Sequence, residues 1–514
     1  MRGSRGRRAG RIVAVAALTA SGVFTAGWPA AGSVHGTTPT LASTSNPTAD
    51  CPSSSFSESL GVRHSNTEFE PHLAVDPRNE DHLVGVWGQD YWSWGMVNAA
   101  TAGVSLDGGR TFTDVGMPFS CAPAGSQAAS VNDVWDSIGP DGTVYASAIV
   151  EVPDVGIGVT ASHDGGLTWG STQVLHDPTE KCIDLGCTSA VASPYLDVDK
   201  PTITADPVHA GTAYVVWSAY RTVYLGNYPM MSKTTDFGVT WTQPLPIPVG
   251  QVTATTDGNL FLIDPRSGVL YDVFDQQNAS DDPHVGIGDS SSTGTRWAIQ
   301  VVSSSNGGLT WSPAHQVSPL LSVCEAGHQD RCSGVHSAGS EEEAAIDPKT
   351  GALYVVWQDG RFSNGAYDEI ALSTSADGGI TWSAPARVST PSGSAAINPA
   401  VAVTSDGTVG VTYYDFRGPS GGPAGAGLPT TVWMSTSPAG GKAFGKDLSL
   451  TDAPFDFRLA PTRFGGNALG EYYGLVGGKD FHALFPTSAT GGASGMSDIW
   501  SVTVPVRSGR AYPS

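Results

Sequence analysis

Short apolar runs recur along the chain, and each is closed by Asp-Pro, Gly or Asn. Pro71-His-Leu-Ala-Val-Asp76-Pro77 leads to Leu83-Val-Gly-Val-Trp87, and Pro201-Thr-Ile-Thr-Ala-Asp206-Pro207 leads to Ala213-Tyr-Val-Val-Trp217. The same step runs from Leu260-Phe-Leu-Ile-Asp264-Pro265 to Leu270-Tyr-Asp-Val-Phe274, and from Glu343-Ala-Ala-Ile-Asp347-Pro348 to Leu353-Tyr-Val-Val-Trp357. Pro399-Ala-Val-Ala-Val leads likewise to Val409-Gly-Val-Thr-Tyr413. Runs this short, rich in β-branched and aromatic residues and bounded by turn formers, predict β-hairpins.

Between the hairpins stands an eight-residue box, Ser/Thr-x-Asp/Asn-x-Gly-x-Thr-aromatic. It occurs as Ser105–Phe112, Ser162–Trp169, Thr234–Trp241, Ser304–Trp311 and Ser375–Trp382, at spacings of about 57 to 72 residues. A worn sixth copy, Ser437–Phe444, has Ala439 in place of the acid. The Asp or Asn is expected to cap a turn, the Gly to supply positive φ, and the aromatic residue to open a strand and pack between sheets. Self-similarity of this kind marks a repeat architecture. Each unit then reads as three strands, the box turn and a fourth strand, and such sheets repeated radially make an all-β propeller.

Blade number follows from the ends. Tyr472-Tyr-Gly-Leu-Val, Phe481–Phe485 and Asp498–Val504 supply three strands after the last box, and the segment near Leu60-Gly-Val-Arg63 could supply their fourth. Closure from the opposite terminus covers exposed sheet edges and favours seven blades, with six as the alternative.

Residues 1–32 carry five arginines and then an apolar run from Ile12 to Ala26, the pattern of a secretory signal peptide. Residues 33–52 are rich in Ser, Thr and Pro and are expected to form a disordered tether, leaving 53–508 as one propeller domain. The expected location is therefore extracellular. A net charge of −22 argues against nucleic-acid and anionic-membrane partners, and no later run is apolar enough to cross a bilayer. Six cysteines in such a chain suggest three disulfides, read by locality as Cys182–Cys187, Cys324–Cys332 and Cys51–Cys121.

Strand direction places the box turns and the Asp-Pro turns on one face. The remaining loops gather on the other, around the mouth of the axis, and there the chemistry is expected. The long insertions 113–132, 170–198 and 312–341, which hold most of the cysteines, belong to that face. Polar residues recur where second strands end (Asp90, Arg221, Asp359, Arg361, Asp415, Arg417) and where first strands begin (Glu70, Asp133, Asp199, Glu342, Glu343, Asn398, Glu471). Arg, carboxylate and Tyr converging on a mouth can bind an anionic sugar and protonate a leaving group. An Asp-x-Arg after a strand also reads as a local ion pair that fixes a loop. Trp92 and Trp94 are candidate sugar-stacking residues, or packing for the first unit. No cofactor is expected; Asp197, Asp199, Asp281 and Asp282 are the candidates for a structural calcium ion.

The five boxes resemble the Asp-box (BNR) repeats of the sialidase superfamily, and the likeness spans about residues 66–505. Sialidases hold the substrate carboxylate with three arginines and pair a Tyr nucleophile with Glu, with an Asp as acid/base. The resemblance implies Arg361 and Arg417 as substrate-binding arginines and Tyr473 as nucleophile with Glu471 or Glu343 as its partner; Arg221, at the end of a second strand, is a further substrate-binding candidate. Asp90, at the end of a second strand, is a further catalytic candidate. The family's first arginine position reads Glu70 here, within Phe69-Glu70-Pro71-His72. The expected function is that of a secreted exo-α-sialidase-type glycoside hydrolase, a monomer acting on extracellular carbohydrate or glycoprotein. A non-catalytic propeller that binds glycan or protein, and a polysaccharide lyase using Tyr473 with Arg361, are the alternatives.

Overall fold

A computed structural model describes residues 38–53, 58, 60–93, 95–119, 130–152, 154–175, 198–220, 227–249, 255–277, 297–324, 334–337, 339, 341–417, 427–438, 440–463, 465–489 and 495–506. Its strands repeat one antiparallel four-stranded unit. The first unit is Arg63–Asp76, Asn79–Trp92, Val97–Ser105 and Thr113–Gly116; the second is Val131–Ile138, Val144–Val152, Asp154–Ser162 and Gln173–Leu175. Four more follow, opening on Val198–Ala205, Thr255–Ile263, Glu343–Ile346 and Ala396–Val403. The last unit is Gly474–Gly477, Phe481–Ser488 and Ser497–Val504, and its fourth strand is Thr40–Leu41.

That last strand differs from the expected one. Arg63 opens the first strand of the first unit, while Thr40 and Leu41 pair with Ser501 and Trp500. The edge strand therefore comes from inside the stretch read as a tether, and Ala42 beside it is fully buried. Two residues are too few to show an apolar alternation in the sequence.

The boxes are turns held by their own side chains. Ser105 Oγ donates to Asp107 Oδ1 (2.9 Å) and accepts from Gly109 N (2.9 Å), while Asp107 accepts from Thr111 N (2.9 Å) and Thr111 Oγ1 (2.7 Å). The same bonds recur at Asp164, Asp236 and Asp377, and Asn306 uses its amide nitrogen on Thr310. The fifth residue of the box, Gly in every copy, has positive φ each time (+83° at Gly109), where a side chain would be strained. In the worn copy, whose sequence has Ala439 in the acid's place, Ser437 Oγ is buried without a hydrogen-bond partner among the described residues. Asp107→Ala is expected to cost about 1 kcal/mol of stability and to leave catalysis unchanged, read by urea unfolding beside an activity assay.

The box turns lie with the turns between first and second strands, as Gly108 N→Asp81 O (2.8 Å) and Phe237 N→Gly211 O (2.9 Å) show. First strands touch one another in chain order, and the last touches the first. Together they line an axial channel of about 320 Å³ walled by residues such as Leu73, Trp135, Ile203, Phe261, Glu343, Val401 and Val476.

Five of these inner strands carry the same irregularity near the axial mouth. The register shifts between Phe69 and His72, Asn132 and Trp135, Asp199 and Thr202, Asp257 and Leu260, and Ile397 and Ala400. Inside each bulge one residue is left-handed: Glu70 (φ 51°), Asp133 (50°), Lys200 (48°), Gly258 (69°) and Asn398 (50°). Bulges re-aim side chains, and strain of this kind costs about 1–3 kcal/mol per residue when it is not glycine. Four of the five bulges spend that strain on a polar side chain.

Candidate active site at the axial mouth

The bulges bring a charged cluster together. Arg463 Nη1 lies 3.0 Å from Glu70 Oε1 and 3.7 Å from Glu471 Oε2. Glu471 Oε1 meets His336 Nε2 at 2.7 Å, and the Glu471 backbone N–H donates to Glu70 (3.2 Å). Lys200 Nζ pairs with Glu341 and lies 4.0 Å from the centre of the Tyr472 ring, while Lys200 N donates to Asp133 (3.3 Å). Tyr472 in turn packs on Trp135, whose face stacks on His72. Arg463 belongs to the short hairpin Thr462–Arg463 and Gly466–Asn467, inserted between the last two units.

Environment drives the carboxyl groups apart. Burial raises Asp133 well above its ordinary range, and Glu70 and Asp199 push it the same way. Glu70 is raised as well, chiefly by burial and against the pull of Arg463. Burial alone would also raise Glu471; Arg463, then His336 and Lys200, outweigh it and hold that group low. One carboxylate held charged, Glu471, thus stands beside Asp133, which burial drives toward its protonated form, the division of labour that acid–base chemistry at a single site requires. Burial keeps the Tyr472 phenol protonated, helped by Glu70 and Asp133, and its hydroxyl has no hydrogen-bond partner among the described residues.

The expected site residues separate into three groups. Glu471 stands at the centre of the cluster, and Glu343 lines the channel below it, half-buried and raised by burial to about 8. Tyr473 does not face the cluster. Successive residues of an extended segment point to opposite sides, so Tyr472 takes that place. Tyr473 packs on Tyr414, with its hydroxyl bonded to Gly470 O (3.2 Å) and Asn398 Nδ2 (3.1 Å).

Asp90, Arg361 and Arg417 are engaged elsewhere. Fully buried Asp90 holds Arg63, Asn46 Nδ2 (2.9 Å) and Asn66 N (2.7 Å), anchoring the N-terminal segment. Arg361 pairs with Asp359 (2.7 Å) and donates to Ser318 Oγ and Pro319 O. Arg417 pairs with Asp415 and with Asp447 (2.6 Å), donates to Tyr413 OH and covers Trp433. The local-ion-pair reading of Asp-x-Arg thus fits both: Asp359 also accepts from Arg361 N (2.8 Å) and Asp415 from Arg417 N (3.2 Å). Trp92 is 3% exposed and serves as packing.

Arg221, Trp94, Cys121, Cys182, Cys187, Cys332, Asp197, Asp281 and Asp282 lie outside the described residues. Cys51 and Cys324 are half-cystines, and the pairing itself stays an expectation.

Lys200, His336, Glu341 and Arg463 did not stand out from the sequence. Lys200 had a signal: Asp199-Lys200-Pro201 occupies the same repeat position as Phe69-Glu70-Pro71 and Ile397-Asn398-Pro399. Arg463 had none, because its hairpin occurs once.

Buried acids outside the ion-paired core add a pH signature. Burial raises Glu68 to about 8, against its hydrogen bond from Gln89, and Glu343 also to about 8. A folded-state value above the unfolded one makes the native state bind more protons. The stabilisation is complete below about pH 4.5 and is lost as pH rises through about 8. The melting temperature is expected to fall between pH 5 and 8, with a shallower slope in Glu68→Gln, as scanning calorimetry would record.

No protein-family model and no curated protein matches the chain. Solved structures do. A Penicillium chrysogenum alpha-L-arabinanase complexed with arabinobiose aligns at 14% identity over 73% of this chain and 92% of that one, with a TM-score of 0.42. A Hadza microbial sialidase aligns at 15% over 80% and 74%, with a TM-score of 0.44. The NanB sialidase of Streptococcus pneumoniae, as a mutant, aligns at 10% over 85% and 94%, with a TM-score of 0.42.

Proposed function

We propose that the chain is an exported glycoside hydrolase on a seven-bladed propeller, with its reaction at the axial mouth. Seven inner strands in one closed cycle of contacts support the blade number. The observation that carries the activity is Glu471, ion-paired with Arg463 and His336, placed with the buried Asp133 around Lys200 and Tyr472. Two carboxyl groups in opposite protonation states are the working parts of glycoside hydrolysis. Asp133 gives its proton to the glycosidic oxygen as the bond to the anomeric carbon breaks. Glu471 stabilises the positive charge that develops on the sugar, and water supplies the hydroxyl that replaces the leaving group. Its proton restores Asp133.

A binding module would need no such pair. A lyase built on Tyr473 and Arg361 is disfavoured because the two share no partner and each is engaged in its own packing. The test is hydrolysis of a panel of aryl and alkyl glycosides by the wild type and by Asp133→Asn. Loss of the general acid is expected to cost about 10²–10⁴-fold on poor leaving groups and little on dinitrophenyl glycosides. A uniform loss across leaving groups would remove Asp133 from that role.

A further inference from the structure

The opening of the cluster shows which sugars it can admit. Beside His336, which is on Glu471, its cations among the described residues are Lys200 and Arg463, and both are spent within the protein. Lys200 is on Glu341, with Glu471, Asp133 and Glu70 adding to its field. Arg463 is on Glu70 and Glu471. The more accessible side chains are acids: Glu341 is 19% exposed and Glu471 16%, against 7% for Lys200 and 13% for Arg463. Deeper in, two polar atoms have no hydrogen-bond partner among the described residues, Glu70 Oε2 and the Tyr472 hydroxyl, each on a residue 2% exposed.

A carboxylated sugar entering here meets the charged Glu471 at the opening and, among the described residues, no guanidinium that is not already ion-paired; like charges brought together without compensation reject a ligand. Sugar hydroxyls, by contrast, find acceptor oxygens at the rim. Resting on the hydrolase reading above, we infer that the axial mouth takes an uncharged sugar residue, whose hydroxyls donate to Glu341 and Glu471, and excludes carboxylated sugars such as sialic acid. Glu341 is then a specificity-determining residue: it both neutralises Lys200 and accepts from the substrate.

The full chain is assayed on 4-nitrophenyl glycosides of neutral pentoses and hexoses and on 4-methylumbelliferyl sialoside. Turnover of at least one neutral glycoside is expected, with kcat/KM for the sialoside lower by about 100-fold or more. Glu341→Gln is expected to raise KM for the neutral substrate about tenfold with kcat nearly unchanged, and to tighten inhibition by the sialoside because Lys200 is released. Asp199→Asn, which changes the acid that accepts from Lys200 N (3.0 Å), replaces it as the variant if Glu341→Gln does not fold. Sialoside turnover equal to or faster than that of every neutral glycoside overturns this inference and leaves the hydrolase reading standing. An unchanged KM in the variant removes Glu341 from the role. Absence of turnover on every glycoside overturns the hydrolase reading and this inference with it.

Discussion

Glu471→Gln lowers kcat by about 10²–10⁴-fold on every glycoside the wild type cleaves, while KM changes little. The size of the effect follows from what the substitution takes away. Arg463, His336 and Lys200 all act to keep this one carboxylate charged against its burial. The amide keeps the shape and can still accept from His336 Nε2, but carries no charge to set against a developing oxocarbenium ion. Stabilisation of that kind, prearranged in a partly dry site, is a large share of most enzymatic rate enhancements. Steady-state kinetics with circular dichroism as a fold check measure it. A variant that keeps wild-type kcat would move the chemistry away from the axis.

The largest effect on stability is expected from Arg463→Met. The side chain is 13% exposed and bridges Glu70, 3% exposed, to Glu471. Methionine fills a similar volume, yet it leaves the two acids facing each other with no guanidinium between them. Breaking a buried ion network by removing one partner costs about 3–5 kcal/mol. Glu471 then loses its strongest support, so its proton affinity rises, and residual activity shifts toward higher pH. Urea unfolding and a pH–rate profile on the same preparation check both parts. A double variant that also carries Glu70→Gln should recover part of the stability, since it removes one of the two stranded charges.

The fold was legible because its signals are local and repeated. A box such as Ser162–Trp169 specifies its turn through bonds confined to its own residues, Ser162 to Asp164 and Asp164 to Thr168. The site was only partly legible because it is assembled across units. Asp133 and Glu471 were readable as polar residues at the starts of inner strands. That Lys200 shares their cluster depends on a bulge, which a run of apolar residues does not announce. The choice between Tyr472 and Tyr473 turns on a single step of strand alternation, and a family-type motif does not set that step for this chain. Arg361 and Arg417 look like ligand-binding arginines in a linear reading, and only the positions of Asp359, Asp447 and Tyr413 reveal that both are held in local ion pairs and hydrogen bonds. The closing strand at Thr40–Leu41 is too short to carry any pattern.

The most direct measurement compares kcat/KM for one cleaved glycoside across Glu471→Gln, Arg361→Ala and Arg417→Ala. The axial-mouth account predicts loss of turnover in the first and values within about threefold of wild type in the other two, because a loop-fixing ion pair is worth little to the transition state. Turnover that survives Glu471→Gln but disappears in Arg361→Ala or Arg417→Ala would contradict it and return the site to the arginines of the outer loops.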